Sequence, residues 1–335
     1  IVAESHLEEF LSHLPESARE EPRRAWVRRH GTSIYGVLDE LMDRYLREAS
    51  PGLKQEEAQI VQDALFAVLP TYEFDGYAGL TPRGDRVVIL HWGIGMTLSF
   101  WSHWYLRLHE EGNNYITGHA ERVYATLQYF NNFWFGLDPG PNFPDIYPKS
   151  EDSWELDEAM TRGAISFVLG HEIGHILYKH RPYGSNQNLN HAMEFEADRK
   201  GLEVVIRLAF LSTAVLHKDN YFTKFILFGP LFAIAVMSLF GDESSHTHPS
   251  PSSRKERLLM SYEPILKEIF KDKYEFIVTE VDNDLVAMLR RNADNLFALF
   301  STFRDTMDKL SRGLPPIDSS WVANEIQLDR PNTNK

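Results

Sequence analysis

Through much of this chain the apolar residues recur every three or four positions, the spacing that turns one face of an α-helix toward a core. From residue 1 to about 70 this pattern predicts helices, with Ser33 to Ala49 and Gln55 to Leu69 separated by Ser50-Pro51-Gly52. The period then shortens. Tyr72 to Gly79 and Asp85 to His91 read as two short strands around a turn at Thr81-Pro82-Arg83-Gly84. Helical spacing returns in a proline-free run from Leu156 to His180, which Pro182 and Gly184 stop, and again over Glu256 to Phe270 and Val278 to Ser311. Between residues 138 and 148 four prolines forbid helix or central strand, so an exposed loop is expected there, leading toward the Leu156 helix. A polar tail begins at Gly313-Leu314-Pro315-Pro316. The expected fold class is therefore mainly α with a small β element (α+β).

Two apolar stretches raise the question of a membrane. Phe225 to Gly241 is 17 residues long, has Gly229-Pro230 inside it and is flanked by Lys224 and Asp242; a span needs about 20 apolar residues. Leu202 to Leu216 carries Glu203 and Arg207. Both read as helices packed over the core, with insertion into a membrane or a partner the weaker alternative. Phe100, Trp101, Trp104, Tyr105, Tyr124, Tyr129, Phe130, Phe133, Trp134 and Phe135 make the middle of the chain aromatic, which suggests helical-core packing or, less simply, a recognition surface.

Composition narrows the function. With 335 residues, 43% of them hydrophobic, the chain can bury one sizeable core or two modest ones. Its 34 basic and 48 acidic side chains give a net charge of −14, which argues against a general nucleic-acid binder; the Arg23-Arg24 and Arg28-Arg29 cluster reads as a solvated helix face. There is no cysteine, so any metal must be held by nitrogen and oxygen. The first residues lack a basic segment followed by an apolar one, and together with the missing cysteines this suggests a soluble, cytoplasmic protein.

The chemistry is concentrated in His171-Glu172-Ile173-Gly174-His175. On a helix, positions i and i+4 lie one above the other, so both imidazoles can grip one zinc ion, while the intervening glutamate can accept a proton from water. Three protein ligands leave the fourth position of a zinc ion open. Gly170 and Gly174 each cost about 1 kcal/mol in a helix interior, which points to another element packed close beside the motif. Nineteen residues after His175 comes Glu194, followed at helical spacing by Asp198. Glu194 can be the third ligand, and Asp198 can accept the free ring N–H of a ligand histidine. Glu196 points about 200° away from Glu194 and is not assigned to the metal. An ordinary amphipathic helix with a solvated acidic neighbour is the alternative.

These residues carry a resemblance. His171 to His175 with Glu194-Phe195-Glu196-Ala197-Asp198 resembles the gluzincin metallopeptidases, such as the HtpX and CAAX prenyl proteases, and also the soluble Lit-type phage-exclusion peptidases. Ser245-His246-Thr247-His248-Pro249 through Arg254 to Leu258 is similar to a further segment of the former, with Lys255 in place of an apolar residue. By that resemblance His248 is the histidine that stabilises the oxyanion, with His246 its rival. The strand pair before the motif resembles the hairpin of the same families, with Asp75 where they carry asparagine; an edge strand there would bind an extended substrate by main-chain hydrogen bonds.

The resemblance implies a zincin-like metallopeptidase core with an HExxH helix and helical amino- and carboxyl-terminal elaborations. The division expected is a helical region over 1–70, the metallopeptidase core over 71–260 with an aromatic insertion at 95–155, carboxyl-terminal helices over 261–312 and the tail 313–335. The expected function is zinc-dependent endopeptidase cleavage of a protein or peptide by attack of zinc-bound water. One Zn2+ per chain would be held by His171, His175 and Glu194, with Glu172 and His248 catalytic and Asp198 orienting a ligand. The alternatives are a regulatory protease awakened by an activating protein partner, Lit-like or ImmA-like, and a non-catalytic interaction protein stabilised by zinc.

Overall fold

In the computed structural model, which describes residues 46, 49–69, 74–81, 83–111, 150–180, 184–216, 220–241, 243–271 and 285–311, seven helices and one three-stranded sheet are seen among the described residues. In chain order they are α1 (Gln55–Gln62), β1 (Leu65–Leu69), β2 (Gly76–Leu80), β3 (Arg86–His91), α2 (Trp92–Glu111), α3 (Glu151–Leu177), α4 (Gln187–Leu216), α5 (Asn220–Ser238), α6 (Pro251–Phe270) and α7 (Leu285–Ser311). The mainly helical architecture with a small β element is the one expected from the pattern of apolar positions.

The sheet has the order β1-β3-β2. β2 and β3 form the expected hairpin, antiparallel with Gly76 opposite Leu90, and Gly84 takes the left-handed conformation its turn needs at φ 89°. β1 runs parallel to β3, with Leu65 opposite Val87. This corrects the helix expected over Gln55 to Leu69, which ends at Gln62. Leu65-Phe66-Ala67-Val68-Leu69 is a short unbroken apolar run, which periodicity alone assigns equally to helix or strand. Hydrogen-bond partners on β3, some twenty residues ahead, decide the matter.

α5 lies at the centre. Ile226, Leu227, Leu231, Phe232, Ala233, Ile234, Ala235 and Val236 are all fully buried, so this helix is apolar on every side because protein surrounds it on every side. No helix among the described residues is long and apolar enough to cross a membrane. Phe100, Trp101, Trp104 and Tyr105 belong to α2, where Trp101 and Trp104 are buried against Phe300 and Phe303 of α7 at ring separations of 5.1 and 5.0 Å. The aromatic positions from Tyr124 to Phe135, the proline loop at 138–148, the helix expected before residue 46 and the tail lie outside the described residues.

Glycines set how closely α3 meets its neighbours. A Cβ on Gly229 of α5 would fall 2.4 Å from the Ala164 nitrogen, and one on Gly163 would fall 2.3 Å from the Ile226 carbonyl oxygen, so α3 and α5 touch backbone to backbone. On another face, a Cβ on Gly170 would meet the Gly201 Cα at 2.9 Å and one on Gly174 the Ala197 Cα at 3.0 Å. Four residues forward on α3 thus correspond to four residues back on α4, and the two helices run antiparallel. This is the close neighbour that glycines within the motif called for, and it brings the acidic turns of α4 beside the two histidines.

Candidate active site

His171 and His175 stand on successive turns of α3, their rings 4.9 Å apart, and α4 presents Glu194 and Asp198 to them. His171 Nε2 lies 3.2 Å from His175 Nε2, His175 Nε2 lies 3.3 Å from Glu194 Oε1, and His171 Nε2 lies 3.5 Å from Glu194 Oε2. Four ligands bound at about 2.0 Å in a tetrahedron are separated by about 3.3 Å. The two nitrogens, and each nitrogen with its nearer Glu194 oxygen, are therefore separated by about one such edge, the carboxylate presenting a different oxygen to each histidine. The three residues form a group of mutually close donors that could hold a metal ion.

The residues fit such an ion in charge as well as in spacing. His171 Nδ1 bonds Asp198 Oδ1 at 2.9 Å; with its proton there, the imidazole turns the Nε2 lone pair toward His175 and Glu194. That lone pair and the Glu194 carboxylate, 3.5 Å apart, repel, and a shared cation removes the repulsion. Burial works against ionisation of Glu194, yet its hydrogen bond with His175 and the charges of His171, Arg254 and His248 hold its carboxyl well below the usual carboxylate range. Burial likewise disfavours protonation of His171, but the Asp198 hydrogen bond and the Glu194 charge prevail and raise its pKa.

Asp198 is itself clamped. Arg254, from the first turns of α6, reaches it through Nε at 2.9 Å to Oδ2 and through Nη2 at 2.5 Å to Oδ1. Both side chains are buried, so this is a bidentate pair removed from water. Sequence reasoning reached Asp198 but assigned Arg254 no task. The available signal was an arginine one turn inside a helix opened by Pro251, too exposed-looking a setting to suggest burial.

Glu172 is buried on the side of α3 facing the sheet, and a Cβ on Gly76 of β2 would come within 2.7 Å of its Oε1. The edge strand thus passes directly over the glutamate, and only a glycine leaves room. Burial, with smaller contributions from the Glu194 and Asp75 charges, pushes the Glu172 carboxyl up to about 7. The importance of Gly76 was not read from the sequence, since nothing local distinguishes it from any strand glycine.

Of the two histidines in the Ser245 to Pro249 loop, the structure brings one to the site. His248 Nε2 lies 3.6 Å from Glu194 Oε2, whereas His246 Nε2 bonds the Gly184 carbonyl at 2.8 Å. His248 does not join the group of mutually close donors, so it stands at the flank of the three. Its loop is fastened to the start of α4: His191 Nε2 and Gln187 Nε2 both meet the Ser245 carbonyl, at 2.9 and 3.1 Å, and Asn190 donates to the His246 carbonyl at 3.2 Å. Glu196 lies outside the donor group.

No curated protein and no solved structure matches the chain. Residues 113–270 match the family model described as Peptidase U49, a span that includes every residue of the donor group, the His248 loop and Arg254, and leaves out the sheet. Over that part of its length the chain is similar to a peptidase family, in keeping with its resemblance to the Lit-type peptidases.

Proposed function

We propose that this protein is a zinc-dependent endopeptidase in which His171, His175 and Glu194 hold the metal. The observation that carries the reading is the convergence of the two imidazoles, 3.2 Å apart at Nε2, on the buried Glu194 carboxylate, which presents Oε1 at 3.3 Å to His175 and Oε2 at 3.5 Å to His171, with no fourth protein donor in that group among the described residues. Zinc in that position supplies Lewis acidity toward a peptide carbonyl and toward water. A structural zinc site would instead be closed by a fourth protein ligand.

The remaining tasks fall to side chains in place around the donors. Glu172 takes the proton of the attacking water and passes it to the leaving amine; a carboxyl with a pKa near 7 is suited to doing both at neutral pH. His248, half exposed at the flank of Glu194, donates a hydrogen bond to the oxyanion that forms at the carbonyl. Asp198 and Arg254 hold the His171 ring. β2 offers its outer edge to an extended substrate, which places the chain to be cut beside Glu172.

The test is elemental analysis of purified wild type, His175→Ala and Glu172→Gln, with cleavage of a peptide library by the same samples. The reading expects one zinc per chain in the wild type, loss of zinc in His175→Ala, and zinc without cleavage in Glu172→Gln. Absence of zinc from reconstituted wild type, or full cleavage by Glu172→Gln, would overturn it.

A further inference from the structure

His175 is gripped from behind by two residues that the proposed mechanism leaves unused. α3 ends in a sharp reversal: Lys179 adopts the left-handed conformation at φ 55°, the His180 N–H donates to the His175 carbonyl at 3.0 Å, and the Lys179 N–H donates to the Ile176 carbonyl at 3.2 Å. Helices commonly close with this pair of bonds, but glycine usually occupies the left-handed position, where an L-residue costs about 1 kcal/mol. The reversal also corrects the expected extension of the helix to His180. Its effect is to fold the His180 ring back beneath the ligand it follows.

The two rings meet at 4.9 Å and 75°, with His180 Nδ1 2.8 Å from His175 Nδ1. On its other side His180 Nε2 lies 3.0 Å from Glu196 Oε2 of α4. The His180 side chain is only 6% exposed, whereas Glu196 is 64% exposed. With the His175 Nε2 lone pair given to a metal, hydrogen-bond bookkeeping admits a single arrangement for neutral imidazoles. The Glu196 carboxylate can only accept, so His180 carries its proton on Nε2 and keeps a lone pair on Nδ1. That lone pair accepts from His175 Nδ1–H, which leaves the His175 Nε2 lone pair facing His171 and Glu194.

We infer that His180 and Glu196 are positioning residues for the metal centre, fixing the tautomer and ring orientation of His175 as Asp198 and Arg254 fix those of His171. The inference rests on the metal reading above and extends it: each ligand histidine has its own carboxylate-terminated support, one buried and direct, the other reached through a second imidazole. Ligand-orienting partners of this kind typically contribute a factor of about 10 to 100 in metal affinity.

The experiment is zinc affinity of the full chain, measured by competition with a chromophoric chelator, for wild type, His180→Ala, His180→Asn and Glu196→Gln, with the visible absorption of the Co2+ forms recorded alongside and folding checked by circular dichroism. His180→Ala should bind zinc about 10- to 100-fold more weakly and alter the Co2+ spectrum. His180→Asn, whose side-chain oxygen can still accept from His175 Nδ1–H, should recover most of that loss. Glu196→Gln, at an exposed position that should not endanger folding, should show a smaller loss in the same direction and carries the test should His180→Ala fail to fold. Zinc bound by wild type and equally tightly by His180→Asn, Glu196→Gln and every other folded variant would overturn the support while leaving the metal site standing. A wild type that takes up no zinc would overturn the metal reading, and this inference with it.

Discussion

Gly76→Ala separates the position of the proposed base from the rest of the site. The added methyl would sit 2.7 Å from Glu172 Oε1, 3.1 Å from Cδ and 3.3 Å from Cγ. Restoring an ordinary contact of 3.4 Å requires the carboxylate to retreat by about 0.7 Å. The atom displaced is the free end of a side chain, and Gly76 does not need a left-handed backbone, so the cost in stability should stay within about 1 kcal/mol. Catalysis is far less tolerant: misplacement of a reacting group by about 1 Å can cost about 100-fold. The variant should therefore retain its zinc and unfold near the wild-type temperature while kcat on the best-cleaved library peptide falls about 100-fold, with KM changing much less. Combined with Glu172→Gln it should lose nothing further, because both changes disable one group. A zinc-loaded Gly76→Ala protein with kcat within threefold of wild type would refute the placement of Glu172 as the base beneath β2.

Further outcomes follow from the same geometry. In the metal-free protein Glu172 stays protonated to about pH 7, whereas an unfolded glutamate ionises near 4.5, so the folded state holds the extra proton and stability must fall as pH rises through that window. Denaturant titrations from pH 4.5 to 8 should show metal-free Glu172→Gln gaining on wild type with rising pH, by about 3 kcal/mol at the upper end; parallel curves would argue against a desolvated carboxyl. The raised pKa of His171 means that zinc must displace a proton from it, so calorimetry near pH 6.5 in buffers of differing ionisation enthalpy should register proton release, and zinc affinity should climb with pH. Finally, Gly229→Ala forces a methyl against the backbone of α3, 2.4 Å from both the Ala164 nitrogen and the Gly163 carbonyl carbon, and should destabilise by about 3 kcal/mol in thermal or urea unfolding. An unchanged midpoint would mean that α3 and α5 do not pack this closely.

What could be read directly from the residues was whatever depends on local spacing. The i, i+4 repeat of His171 and His175, the same spacing of Glu194 and Asp198, and the glycines of α3 are statements about a single helix, and one helix has one geometry. The β2–β3 hairpin was legible for the same reason, its turn residues lying between two short alternating runs. β1 was not legible, because an unbroken apolar pentapeptide takes its structure from a partner elsewhere in the chain. The reversal at Lys179 was hidden too, since a lysine gives no sign of a left-handed conformation that tertiary contacts impose on it.

The sequence by itself determined the inventory of the candidate site: two imidazoles at helical spacing, two carboxylates at the same spacing further along, a glutamate between the imidazoles, and no thiol to compete for a metal. Only the tertiary structure decided which of those groups meet and what holds them. Antiparallel packing of α3 on α4 through glycines brought Glu194 within 3.3 Å of His175, the folding of α6 buried Arg254 on Asp198, and fastening of the Ser245 loop turned His248 toward Glu194 and His246 away from it. Each is a contact between residues far apart in the chain, set by which surfaces can approach closely enough to exclude water, and no local pattern encodes that approach.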